Sequence, residues 1–261
     1  MTAHSLDSLW SLPHDILARF ELGTRLDAKP LTVIDEIVAL RRCAQYRKAF
    51  KDIAVGYPAE LLEFDALAAW IRREQVTVDV ANACELDRAI AAGIDAMHIV
   101  MHPQGRTAAP IRRAVNAAAA RFVVDASSQI AILADSADRI QRVVVDAADH
   151  GGETLATEVL TRPGLELIGL HCRLDDPDDA IGAVKLRQMI GEMARIRRDH
   201  GVLLTRISLA GMNVGERCLE LRILRRVAEA IGEVVGEACA HYRYPRPALT
   251  VSPSPADLLP A

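Results

Sequence analysis

Two arginines and two histidines are the side chains best suited to hold a ligand: His102, Arg106, His171 and Arg173. An arginine presents two parallel N–H groups that match a carboxylate or a phosphate, and a histidine adds a further donor or acceptor. Together they point to a small anionic or zwitterionic ligand. The competing reading pairs Arg173 with Asp175 or Asp176. Tyr57, Asp79, Asn82, Asp125, Asp149 and Asn213 fall near the same segment ends and would complete a polar rim. Metal binding finds little support. His98 and His102 are four apart, but they straddle a strand and its exit, so they do not share a helix face as paired zinc ligands do. There is no GxSxG to set a serine on a nucleophile elbow. Gly151-Gly152 and Gly211 to Gly215 are weak phosphate-loop signals, and turn glycine is the commoner explanation.

The elements that must position these groups read as eight short strand-like runs separated by helical intervals. The runs are Asp52–Val55, Val76–Val80, Met97–Met101, Phe122–Asp125, Arg142–Asp146, Leu165–Cys172, Thr205–Ala210 and Leu249–Ser252. Val76-Thr77-Val78-Asp79-Val80 and Val143-Val144-Val145 show the β-branched enrichment of strands. Apolar residues over 178–200 and 216–239 recur at the 3–4 spacing of helices with one buried stripe. Eight such alternations in 261 residues predict a (β/α)8 TIM-type barrel, with chemistry at the C-terminal strand ends. The expected organisation is a lead-in over 1–30, one barrel domain over 31–252, and an extended proline-rich tail over 253–261. Leu31-Thr32-Val33-Ile34-Asp35 reads as a short extra strand, a helix follows over 36–50, and 149–164 reads as a loop with room for one short helix.

Composition excludes several roles. The net charge is −4, so no global basic field invites nucleic acid. No uninterrupted apolar stretch predicts a membrane span, and the first residues lack the basic-then-apolar order of a secretory signal. Five scattered cysteines without a CxxC fit reduced thiols in a cytoplasmic protein. Only Lys29, Lys48, Lys51 and Lys185 are lysines.

Six segments, in order, resemble the barrel domain of the alanine-racemase-like, fold-type III pyridoxal-phosphate decarboxylases, the family of diaminopimelate and ornithine decarboxylases. Pro30-Leu31-Thr32-Val33-Ile34-Asp35 resembles PLYVYD, and Asp52-Ile53-Ala54-Val55-Gly56 resembles FYAVK. Asp79-Val80-Ala81-Asn82-Ala83-Cys84-Glu85-Leu86 with Ala89-Ile90-Ala91-Ala92-Gly93 resembles DVVSGGEL…ALAAG. Leu167-Ile168-Gly169-Leu170-His171-Cys172-Arg173 resembles LVGLHCH. Ile207-Ser208-Leu209-Ala210-Gly211-Met212 resembles LDLGGG, and Leu249-Thr250-Val251-Ser252-Pro253 resembles the strand that ends in EPG.

The resemblance implies pyridoxal phosphate as the family cofactor, and the departures from it fall on the cofactor positions. The lysine that would form the Schiff base is Gly56. The histidine that would stack on the cofactor ring is Arg173. The glycines that let backbone approach the phosphate are Ala210, Gly211 and Met212, and Met212 would crowd that approach. The glutamate that would pair with the pyridine nitrogen is Ser252. His171, the earlier histidine of its motif, is kept, either as a core residue or to hold a neighbour's tautomer. The expectation is a catalytically degenerate decarboxylase-like barrel, with no catalytic residue and no bound cofactor, acting in binding or regulation. The alternatives are an active amino-acid decarboxylase- or racemase-like enzyme that uses the cofactor non-covalently or lysine-independent chemistry, and a structural subunit completed by a partner chain. The family's C-terminal β-domain is not expected here. An exposed 31–35 strand edge would then favour a homo-oligomer or a partner protein.

Overall fold

The computed structural model describes residues 30–105, 107–147, 152–174, 180–212 and 220–259; within these, the side chains of 30–35, 180–181 and 212 are not described. Arg106, Asp149, Asp175, Asp176 and Asn213 therefore lie outside the described residues, as do the lead-in over 1–29 and the candidate turn at Gly215.

Eight parallel strands close into a barrel in sequence order. They are β1 (Ala54–Pro58), β2 (Thr77–Val80), β3 (Ile99–Met101), β4 (Arg121–Val124), β5 (Gln141–Asp146), β6 (Leu165–Arg173), β7 (Arg206–Met212) and β8 (Ala248–Pro253). The helices between them are α2 (Asp65–Glu74), α3 (Ala83–Ala91), α4 (Ala108–Asn116), α5 (Ser127–Ser136), α6 (Gly152–Thr161), α7 (Ala180–His200) and α8 (Leu221–Tyr242), with α1 (Pro30–Ala49) before β1 and α9 (Pro255–Leu258) after β8. The (β/α)8 architecture expected from the sequence is the observed one.

Strand alternation divides the apolar residues into two cores. Val78, Ile99, Phe122, Val143, Leu170, Ile207 and Val251 point outward and join the main core with the helices. Val100, Val123, Val144 and Ile168 form a separate buried cluster inside the barrel. The interior is thus a packed plug rather than a pore. The helices meet the barrel through single stripes: in α8, Leu224, Val227, Ile231, Val235 and Ala238 are buried at 3–4 spacing. At the end of α7, Gly201 turns the chain at φ +72°, as a helix stop.

Residues 31–35, expected to be a strand, are the first turns of α1 instead. Their β-branched residues suggested a strand, but the segment is continuous with a helical stripe. Ala39, Leu40, Cys43, Tyr46, Ala49 and Phe50 are buried at helical spacing, and Pro30 stands where the first helical turn accepts proline. α1 packs against α8 and α2 and so covers the seam between β8 and β1. No strand edge is exposed at 31–35, which removes that argument for a partner. Within 149–164, where the sequence left room for one short helix, residues 152–161 form α6.

The chain beyond β8 also differs from the expected extended tail. Ser254 caps α9 by accepting from the Ala256 amide at 3.1 Å. Leu258 is fully buried, and Tyr46 donates to the buried Asp257 carboxylate at 3.2 Å. Docking against α1 orders the segment despite its prolines.

Candidate functional site at the barrel mouth

The C-terminal strand ends bring together residues that are far apart in sequence. Asp79 faces inward from β2, Ser252 from the end of β8, and Gly56 from β1. His102 follows β3, His171 lies on β6, and Ser208 lies on β7. The Ser252 hydroxyl donates to Asp79 Oδ2 at 2.5 Å, and His102 Nε2 lies 3.3 Å from Asp79 Oδ1. The His102 and His171 rings meet edge to face, with centroids 5.3 Å apart. His171 Nδ1 is 3.1 Å from Ser208 Oγ. The result is one polar chain across the mouth, from Ser252 through Asp79, His102 and His171 to Ser208.

The electrostatics follow from this packing. Burial opposes ionisation of Asp79. The His102 hydrogen bond, the positive charge that His102 carries when protonated, the Ser252 hydroxyl and Arg121 outweigh it and hold the carboxyl below its usual value. For His171, burial comes first, and the charges of His102 and Arg173 add to it against Asp79. Its pKa is pushed down to about 3, so it is a neutral imidazole at physiological pH. Neutral His171 offers Nδ1 either as acceptor to the Ser208 hydroxyl or as donor to its lone pairs.

Local capping fixes the loops that carry these groups. Asn82 begins α3 by accepting from the Glu85 amide at 3.0 Å, while Glu85 reaches back to the Ala81 amide at 2.7 Å. Asn82 is therefore a helix cap just beyond Asp79. The side-chain oxygen of buried Gln129 accepts from the Asp125 amide at 2.9 Å, and its amide nitrogen donates to the carbonyls of Pro103 at 2.9 Å and Gly105 at 3.1 Å. This ties the loop after His102 to the end of β4.

The remaining sequence-predicted positions are placed as follows. Arg173 ends β6 and is exposed. Ala210, Gly211 and Met212 end β7, and Gly211 has φ +76°, a left-handed conformation that favours glycine. Tyr57 points away from the mouth: it is fully buried, and its hydroxyl donates to the Cys43 carbonyl on α1 at 2.9 Å. Sequence reasoning missed Ser208. The alternation of Ser208 and Ala210 with Ile207 and Leu209 was the only local sign that it faces inward. Lys185, on α7, donates its amine to the Arg173 carbonyl at 3.3 Å, on the rim. Among the described residues, no group of three or more His, Cys, Asp and Glu is placed to hold a metal ion, and no helix is long and apolar enough to cross a membrane.

Comparison with known proteins assigns this architecture. Residues 36–157 match the family model of the pyridoxal-dependent decarboxylases, pyridoxal binding domain. The chain is 25% identical over 268 residues to a diaminopimelate decarboxylase of Actinosynnema pretiosum subsp. auranticum, covering 90% of this chain and 60% of the relative. It is likewise 25% identical to the diaminopimelate decarboxylase of Corynebacterium efficiens, covering 87% of this chain and 57% of that one. The crystal structure of the enzyme from M. jannaschi superposes with a TM-score of 0.73 at 15% identity, covering 86% of this chain and 60% of that one. The Helicobacter pylori diaminopimelate decarboxylase complexed with L-lysine gives a TM-score of 0.68 at 17% identity, covering 84% and 61%. The chain thus spans about 60% of the length of these relatives.

The expectation of no cofactor is corrected by these matches. The pyridoxal-binding domain and the decarboxylase relatives point to pyridoxal phosphate as the group this barrel is built around. The structure bears on how it could be attached. Position 56 carries no amine, and a Cβ built there would lie 2.7 Å from Ser252 Oγ and 2.8 Å from Asp79 Oδ2. Side-chain atoms already fill that space, so the residues present do not fit covalent attachment at β1.

Proposed function

We propose that this barrel, similar to the pyridoxal-dependent decarboxylases, serves as a binding member of that family, holding a small anionic or zwitterionic ligand at its mouth without decarboxylating it. The observation that carries this reading is the Ser252–Asp79 hydrogen bond lying against Gly56. Decarboxylation of the family kind needs an amine at that point, and here a carboxylate and a hydroxyl close over it. The groups left around the mouth favour recognition. Arg173 offers a guanidinium fork to a carboxylate or phosphate, His102 adds a ring nitrogen, and neutral His171 with Ser208 supplies a fixed donor–acceptor pair. Gly211 turns the backbone through a left-handed conformation, φ +76°, at the end of β7.

A thermal-shift and calorimetric panel of amino acids, pyridoxal phosphate and inorganic phosphate tests this. The expected result is saturable binding of at least one of them, weakened about tenfold or more by Arg173→Ala. No binding by any of them would remove the ligand role and leave a scaffold. Self-association belongs to the same reading, although the expected 31–35 edge is absent. A light-scattering mass above the 28.4 kDa of one chain would support it.

A further inference from the structure

The opposite end of the barrel carries charge that nothing in contact balances. Arg121 opens β4 and shares a face with Val123, a member of the interior plug. Its side chain therefore lies inside the barrel, below that plug. Arg206 opens β7 two residues before Ser208, which faces inward to His171, so period-two alternation turns Arg206 inward as well. Its Cα pairs with Gly169 on one side and Ala248 on the other. A Cβ at Gly169 would lie 2.2 Å from the Arg206 carbonyl oxygen and 2.9 Å from its Cβ, so glycine admits the close approach of the β7 backbone there. Arg142, two residues before the plug residue Val144, has a counter-ion in Glu166 at 3.6 Å. Arg121 and Arg206 have none: among the described residues, neither makes a side-chain hydrogen bond or an ion pair.

The surroundings make this costly. Burial first, then the like charges of Arg206 and Arg142, pull Arg121 below its usual value, with only Asp79 opposing. Asp79 acts from above, and its two oxygens are already taken by Ser252 and His102. Guanidinium groups stay protonated regardless, so the repulsion persists unless an anion enters. An oxyanion with several acceptor oxygens satisfies two guanidinium forks at once.

We propose that the N-terminal floor of the barrel is a binding site for a small oxyanion of the phosphate or sulfate class, held between Arg121 and Arg206 with Arg142 at its edge. The site is at the other end of the barrel from the mouth and stands independently of the function proposed there.

The full chain is melted in low-millimolar sodium phosphate or sulfate against sodium chloride at matched ionic strength, with phosphate binding followed by calorimetry. A tenfold excess over the dissociation constant should raise the melting temperature by roughly 4 °C. Arg121→Gln and Arg206→Gln should each abolish the rise, and without oxyanion each should melt no lower than the unmutated chain, because one like charge is gone. Arg173→Ala, at the mouth, should keep the rise. Should a glutamine variant fail to fold, Arg121→Lys keeps the charge but loses the fork, and should weaken phosphate binding at least several-fold. The proposal is overturned by no oxyanion-specific rise in the unmutated chain, by a rise that survives in both glutamine variants, by unchanged binding in Arg121→Lys, or by a rise lost in Arg173→Ala instead.

Discussion

Lowering the pH from 7 to 5 asks the barrel mouth to accommodate a cation it is packed to refuse. His171 is 4% exposed and meets His102 and Ser208, and its pKa is pushed down to about 3. In the unfolded chain the same imidazole titrates near 6.5. Between these values the unfolded state binds the extra proton, so stability rises with pH across the window from about 3 to 6.5 and is lost on acidification. One pKa unit is about 1.4 kcal/mol, so going from pH 7 to pH 5 should cost about 2 kcal/mol from this group alone. Asp79, held below its usual value, adds a loss of the same sign, but at lower pH, below the carboxylate range. Urea denaturation of the unmutated chain and of His171→Gln at several pH values isolates the histidine: their stability difference should shrink by about 2 kcal/mol on going from pH 7 to 5. A pH-independent difference, or a His171 ring titrating near 6.5 by NMR in the folded protein, would refute the reasoning.

Three further outcomes follow from the packing. Gly56→Ala should destabilise by about 1–3 kcal/mol through overpacking against Ser252 and Asp79, and adding Ser252→Gly should recover part of that loss. Leu258→Ala, on the docked tail, should cost about 2–4 kcal/mol by chemical denaturation, whereas an undocked tail would give no change. Tyr57→Phe should cost about 1 kcal/mol by removing a buried hydrogen bond to the Cys43 carbonyl, with no effect on ligand binding at the mouth.

The barrel was legible because its strands are buried on both faces. Val143 and Val145 face the outer core and Val144 the plug, while Val78 and Val80 of β2 join the outer core. The segment at 31–35 misled because the β-branched Thr32, Val33 and Ile34 look the same at the start of a helix and in a strand, and only the stripe through Phe50 separates them. The mouth was partly legible. His102 and His171 were singled out, but their ring contact spans sequence positions that only barrel closure joins. Asp79 was seen as polar without its Ser252 and His102 partners, and Ser208 was passed over because a serine in a strand carries little signal. Asn82 was read as a pocket group, although its spacing to Glu85 already fits a capping box. That residue 56 carries no amine was readable directly; that Ser252 and Asp79 close over it was not, because they lie 173 residues apart.

The most direct test of the central claim is turnover. The full chain, supplied with saturating pyridoxal phosphate, is assayed for release of carbon dioxide from diaminopimelate, lysine, ornithine and arginine. No release above a protein-free control is expected, even for a ligand shown to bind. Sustained turnover of any of these substrates by the unmutated chain would contradict it, since no amine stands at residue 56 to support decarboxylation of the family kind.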